Sequence, residues 1–211
     1  DSASDIFNPG REDLSVLPMT ITFGEEEFLD GVSLTHREFF ERLLECDDLP
    51  TTSQIAPYAF TQAIRTVTER GDIAIVITMS SRLSGTWQSA CIAAEEFEER
   101  AFVVDSENVT VGERALVEYA LRLKDAGKDA REIVDELNQA KKRIQLIALL
   151  DTLEYLKKGG RISKTAALAG SVLSIKPVIG IVDGEVAMLG KARCSKQGNN
   201  LLAEQIRKSE M

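Results

Sequence analysis

Short apolar runs alternate along this chain with stretches whose apolar residues recur every three or four positions, the pattern of strands feeding amphipathic helices. Val16–Phe23 reads as a strand, with Pro18 marking an edge or an irregular start. Thr35-His36-Arg37-Glu38 is a capping box, and Phe39, Phe40, Leu43 and Leu44 form the apolar stripe of the helix it opens. Phe60, Ile64 and Val67 mark a second helix, with Gly71 placed as its left-handed terminator. Ile73–Met79 is continuously apolar and rich in β-branched residues, as a buried strand requires. A hydroxyl-rich turn follows, then a helix over about Thr86–Glu99 and a strand over Phe102–Val104 that ends at Asp105-Ser106. The next helix spans Glu113–Ala126 and stops at Gly127. Asp129-Ala130-Arg131-Glu132 is a second capping box, opening a helix that runs to about Lys142. Strands feeding helices in this order imply right-handed crossovers and a mostly parallel sheet.

The texture changes after Arg143. Ile144–Leu150 reads as a strand, followed by a short helix that stops at Gly159-Gly160. Ile175–Val182 and Val186–Arg193 are joined through Asp183-Gly184, a strong hairpin signal, and Leu201–Lys208 is helix-like. The expectation is an α/β protein of two domains. Residues 1–143 carry a mostly parallel sheet with helices; residues 144–211 carry a mixed sheet with a hairpin.

Composition narrows the function classes. Of 211 residues, 44% are hydrophobic and 28% charged, an ordinary globular mixture that leaves no room for a disordered or collagen-like chain. The longest apolar runs are strand-sized, well short of the ~18 residues of a membrane span. Asp1–Asp5 has neither the basic start nor the apolar core of a signal peptide. There is no initiating Met, and first residues are expected to be missing. A net charge of −9 repels phosphate backbones and anionic membrane faces, so nucleic acid is not an expected partner. Cys46, Cys91 and Cys194 form no metal-ligand pattern, and an odd count without a signal sequence fits the cytoplasm. One His removes most zinc sites and most catalytic triads. No metal or cofactor is expected.

There is no GxxxxGK[ST] loop, no GxGxxG after a strand, no HExxH and no GxSxG. A catalyst would have to be built from carboxylates, hydroxyls and arginine. Three segments remain. Pro50-Thr51-Thr52-Ser53-Gln54 is a hydroxyl cluster ahead of a helix with Pro57 in its first turn; taken alone, a cap and loop is the plainer reading. Ser80-Ser81-Arg82-Leu83-Ser84-Gly85-Thr86 lies between a buried strand and a helix. Open α/β sheets place ligands there, and helix amides favour an anion. A capped turn explains it equally well. In Lys157-Lys158-Gly159-Gly160-Arg161-Ile162-Ser163, helix termination explains all but Arg161, whose guanidinium could fork onto a carboxylate or phosphate. His36 reads as a helix-surface residue, Glu95–Glu99 as a solvated face, and Trp87 as a core anchor.

Read together, these segments resemble the DegV family of bacterial fatty-acid-binding proteins. Asp1-Ser2-Ala3-Ser4-Asp5 is similar to its opening block, and Leu17–Phe23 with Asp30-Gly31-Val32 to the next. Thr52-Ser53-Gln54, Leu83-Ser84-Gly85-Thr86-Trp87-Gln88-Ser89-Ala90 and Val103-Val104-Asp105-Ser106 match three more. Leu153–Ile162 and Ile175-Lys176-Pro177 complete seven blocks in the family order.

The resemblance implies two α/β domains that clamp an acyl chain at their interface. Thr52, Ser84 and Gly85 would hold the fatty-acid carboxylate, with Arg161 at the mouth. A separate ATP-dependent kinase subunit would phosphorylate that carboxylate, so this chain would be a binding subunit without catalytic residues. Lys191 and Arg193 would face the kinase, and transient membrane contact would be allowed. The family pattern also has a strand ahead of Asp1 and a His-Thr-Gly segment beyond Met211, so the second domain is expected to be incomplete.

Elementary energetics agree. A dozen buried methylenes at ~0.8 kcal/mol each give a gross gain near ~10 kcal/mol before ordering costs. The carboxylate must not be buried unpaired, and two hydroxyls, an amide and a nearby cation suffice. Two other classes stay open: a stand-alone small-molecule phosphotransferase, and a structural or regulatory protein with an empty cleft.

Overall fold

The computed structural model describes residues 1–7, 9–46, 48–162 and 175–209. The chain divides into two compact units, Asp1–Lys141 and Lys142–Met211.

In the first unit, β1 (Thr20–Phe23) and β2 (Glu26–Leu29) form a hairpin whose two-residue turn places Gly24 at φ +60°. β3 (Thr51–Ser53) pairs antiparallel with the other edge of β1, Thr52 facing Ile21. Ile21 and Phe23 alternate inward and pack with Leu34 against Phe28 and Phe39. Phe39 belongs to α1 (His36–Glu45), whose Thr35–Glu38 capping box is formed as expected. The α1 stripe is only half used. Phe40 and Leu44 stay 61% and 87% exposed, because a narrow sheet covers one line of the helix.

β4 (Ala74–Thr78) and β5 (Ala101–Asp105) run parallel, in register from Ala74–Ala101 to Thr78–Asp105. α2 (Pro57–Thr68) and α3 (Thr86–Ala94) pack against them. The core they share is Ile55, Phe60, Ile64, Ala74, Ala90, Ala93 and Ala101. α4 (Val111–Asp125) and α5 (Ala130–Ala140) complete the unit, and α5 is opened by the Asp129–Glu132 capping box.

The second unit contains β6 (Ile147–Leu149), β7 (Lys176–Val182) and β8 (Glu185–Ala192) in the order β6-β7-β8. Asp183 and Gly184 turn the β7–β8 hairpin with positive φ at both positions. α6 is Glu154–Lys158 and α7 is Ser195–Ser209.

The α/β class is as expected, but strand directions differ in two places. Parallel pairing of strands among the described residues is confined to β4 and β5; of the expected Val16–Phe23 strand only Thr20–Phe23 forms, and it lies in a separate antiparallel sheet. The second sheet is antiparallel where a mixed one was expected. Two helices also change length. The expected Thr86–Glu99 helix gives way after Ala94 to 3₁₀ turns through Arg100, with Glu98 at φ +49°. α7 begins six residues before the expected Leu201 start. Gly198-Asn199-Asn200 are weak helix formers, and Gly198 lies close against the Leu149 side chain, which a Cβ there would have to displace.

Candidate functional site

The hydroxyl segments before α2 and α3 meet in the first unit. After β3, Ile55 enters the core, and its amide donates to Thr86 Oγ1 at 3.4 Å. Gln54 Nε2 donates to Ser89 Oγ at 3.1 Å, one turn into α3. Gln54 Oε1 occupies the space that a Cβ on Gly85 would need. A larger residue at 85 would have to displace that side chain; the Gly85 φ of −73° is open to any residue.

The turn between β4 and α3 is held from both sides. The Leu83 and Ser84 amides donate to the Ser80 carbonyl at 3.0 and 3.2 Å, and the buried Leu83 side chain anchors the loop. The Ser81 amide donates to Asp105 Oδ1, tying the turn to the end of β5. Ser84 Oγ accepts the first α3 amide, that of Thr86, at 3.2 Å and lies 2.9 Å from Thr86 Oγ1. Ser84 is half-buried, Thr86 fully buried, and Thr52 exposed on its edge strand. A half-exposed hydroxyl beside a helix N-terminus can accept an anion, since α3 presents the positive end of its dipole there. Trp87 is half-buried beside it.

Arg161, Lys191 and Arg193 belong to the second unit. Gly160, at φ +72°, ends α6, with its amide bonded to Lys157 O and the Arg161 amide to Leu156 O. This is a Schellman closure, so the glycine pair does stop the helix. The Arg161 side chain is exposed and donates to Gly159 O at 2.6 Å. Ser163 lies outside the described residues. Lys191, on β8, and Arg193, just beyond it, are exposed on either side of buried Ala192. The Arg193 amide donates to Gln197 Oε1 at 2.9 Å, stapling the start of α7.

Sequence reasoning missed a second polar cluster at the carboxyl ends of β4 and β5. Ser2, Ser4, Ser80, Ser106, Asn108 and Glu113 are all buried there. Asp1 Oδ2 accepts the Met79 amide at 2.9 Å, and Thr110, at φ +50°, donates its amide to Ala3 O at 2.8 Å. Burial pushes the Glu113 carboxyl up to about 7. The Asp1–Asp5 block was the available signal: a polar run before the first strand, spent on inward-facing hydrogen bonds. His36 sits exposed in the first turn of α1. Among the described residues, no group of three or more His, Cys, Asp or Glu could hold a metal ion. Nor is any described helix long and apolar enough to cross a membrane.

A family model described as "Uncharacterised protein, DegV family" matches residues 1–211. A DegV domain-containing protein of Clostridium perfringens is 39% identical over 197 residues, covering 93% of this chain and 71% of the relative. One from Clostridium acetobutylicum is 36% identical over 214 residues, covering 100% and 77%. Among solved structures, a DegV family protein from Thermus thermophilus, described by its fatty-acid binding, superposes with a TM-score of 0.91. It shares 32% identity over 99% of this chain and 75% of its own. A stearic acid-binding protein from Eubacterium ventriosum superposes at 0.88, with 27% identity over 99% and 74%. The chain belongs to the DegV family.

Proposed function

We propose that this chain binds a long-chain fatty acid and presents its carboxylate to a separate ATP-dependent kinase subunit, which phosphorylates it. The observation that carries the reading is the meeting of the Thr52 and Ser84 segments, two hydroxyls on separate elements linked through Gln54, Ile55 and Thr86. The similar proteins of Thermus thermophilus and Eubacterium ventriosum, described as fatty-acid binding, support the ligand class.

In this reading Thr52 and Ser84 donate to the carboxylate, the Gly85 amide adds a third donor, and Arg161 supplies positive charge at the mouth. Hydroxyl donors satisfy a carboxylate without the tight bidentate clamp of an Arg pair, so one oxygen stays open to phosphoryl transfer. Burial of the acyl chain supplies the affinity, at ~0.8 kcal/mol per methylene. Lys191 and Arg193 form a basic pair for docking the kinase. The chain itself supplies no catalytic group and needs no metal or cofactor; its place of work is the cytoplasm.

Native mass spectrometry and organic extraction of the purified protein test this. A long-chain fatty acid should come off in about one-to-one ratio, and ATP should not turn over without a partner. Recovery of only a nucleotide or sugar phosphate, or ATP turnover by the chain alone, would favour a stand-alone phosphotransferase and defeat the reading.

A further inference from the structure

The geometry points to Thr86 as the positioning residue that turns Ser84 into a committed hydrogen-bond donor, and so makes the site select acceptor head groups. The inference rests on the fatty-acid reading and adds a residue and a selectivity to it.

A hydroxyl has one proton and two lone pairs. Thr86 Oγ1 has two neighbours: the Ile55 amide at 3.4 Å, which can only donate to it, and Ser84 Oγ at 2.9 Å. Ser84 Oγ also has two, the Thr86 amide at 3.2 Å, which can only donate, and Thr86 Oγ1. Two proton arrangements are open. In one, Ser84 donates to Thr86; Thr86 then accepts twice and its own proton has no acceptor. Thr86 is 0% exposed, so that proton would be buried without a partner or water. In the other, Thr86 donates to Ser84; every group at Thr86 is satisfied, and both Ser84 lone pairs are taken. The Ser84 proton then points away from both partners, and Ser84 is half-buried rather than sealed, so the proton can reach a ligand. The second arrangement leaves nothing buried and unpaired. It also forms a directed chain from the Ile55 amide through Thr86 and Ser84 to the ligand, in which each bond polarises the next.

A committed donor discriminates by head-group chemistry. A carboxylate only accepts and fits. An ammonium only donates and finds both Ser84 lone pairs occupied. The chain's charge of −9 draws cations, so rejection of a cationic lipid could not be ascribed to the overall field.

The test is binding of oleate and oleylamine to delipidated full chain, comparing wild type, Thr86→Val, Thr86→Ser and Ser84→Ala, with thermal unfolding of each. Thr86→Val keeps the shape and removes the hydroxyl; it should bind oleate roughly tenfold more weakly, as expected for one weakened bond to a charged group, and Thr86→Ser should recover most of that loss. Thr86→Val binding as tightly as wild type, or Thr86→Val and Thr86→Ser equally weakened, would overturn the inference. Should Thr86→Val not fold, an Arg161→Ala chain decides, since it lacks the cation at the mouth: it should still prefer oleate over oleylamine by at least about tenfold, the scale of one charged hydrogen bond. Equal affinities would overturn the inference. A wild type that takes up no oleate overturns the fatty-acid reading as well, an outcome distinct from failure of the Thr86 variants alone.

Discussion

Gln54 and Gly85, 31 positions apart, interlock: the amide oxygen of Gln54 fills the space beside the Gly85 Cα, while its nitrogen bonds Ser89 in the next turn of α3. The contact joins the end of β3 to the start of α3, and with it the two hydroxyls proposed to hold the ligand. A side chain at 85 would push Gln54 out.

The cost of that displacement is small and specific. Gln54 is exposed and its outer atoms can swing away, so Gly85→Ala should lose mainly the Gln54–Ser89 bond, about 1 kcal/mol of stability. In a Gln54→Ala background the same change should cost close to nothing, since no clash is left. A double-mutant cycle by chemical denaturation reads the coupling; additive effects would show that the two residues do not meet in solution.

Thr52 and Ser84 should separate affinity from stability. Each alanine variant should weaken oleate binding by about 1.5–3 kcal/mol, the range for a bond to a charged group. Thr52 is exposed on an edge strand, so Thr52→Ala should leave stability within about 0.5 kcal/mol of wild type. Ser84→Ala also removes the acceptor for the first amide of α3 and should cost about 1 kcal/mol. Titration calorimetry with parallel melts checks both; unchanged affinity in the double variant rules these residues out as carboxylate ligands.

Glu113 should make the chain less stable as pH rises. Its carboxyl sits at about 7 in the folded state against an ordinary 4.5, so the fold holds the proton more tightly than the unfolded chain does. That stabilisation is fully present below pH 4.5 and is lost as pH climbs to 7, by about 3 kcal/mol at about 1.4 kcal/mol per unit. Glu113→Gln should flatten this part of the profile. Urea unfolding across pH 4.5–7.5 measures it, and identical slopes in variant and wild type would refute the assignment.

Arg161 and Arg193 should affect phosphoryl transfer more than lipid retention. Both side chains are exposed, so their alanine variants should fold normally, within about 0.5 kcal/mol of wild type. Lipid content measured beside kinase-coupled turnover distinguishes docking from binding. Loss of lipid in proportion to turnover would make them pocket residues.

Much of the architecture was legible locally. The two capping boxes, the Asp183-Gly184 hairpin, the stop at Gly159-Gly160 and the β4 strand, half-buried along its middle rather than sealed, each depend on residues within one turn or one strand, where propensity and spacing decide. The seven family blocks were legible for the same reason: each is a short run read in order. What lay beyond the sequence was pairing between distant segments. β3 is three hydroxyl-bearing residues with no apolar signal, and becomes a strand because β1 offers it an open edge. The first helical turns of α7 hide behind a glycine that packs close against the Leu149 side chain, far back in the chain. Glu113 opens the expected helix, and only the tertiary structure buries it against the Asp1–Asp5 turn. The Ser84 turn could be named as a candidate from its place between strand and helix. The partners that fix its geometry, Gln54 and Ile55 reaching Ser89 and Thr86, arrive only when α2 and α3 pack on one sheet, because a contact across about 30 residues leaves no periodic trace in either segment.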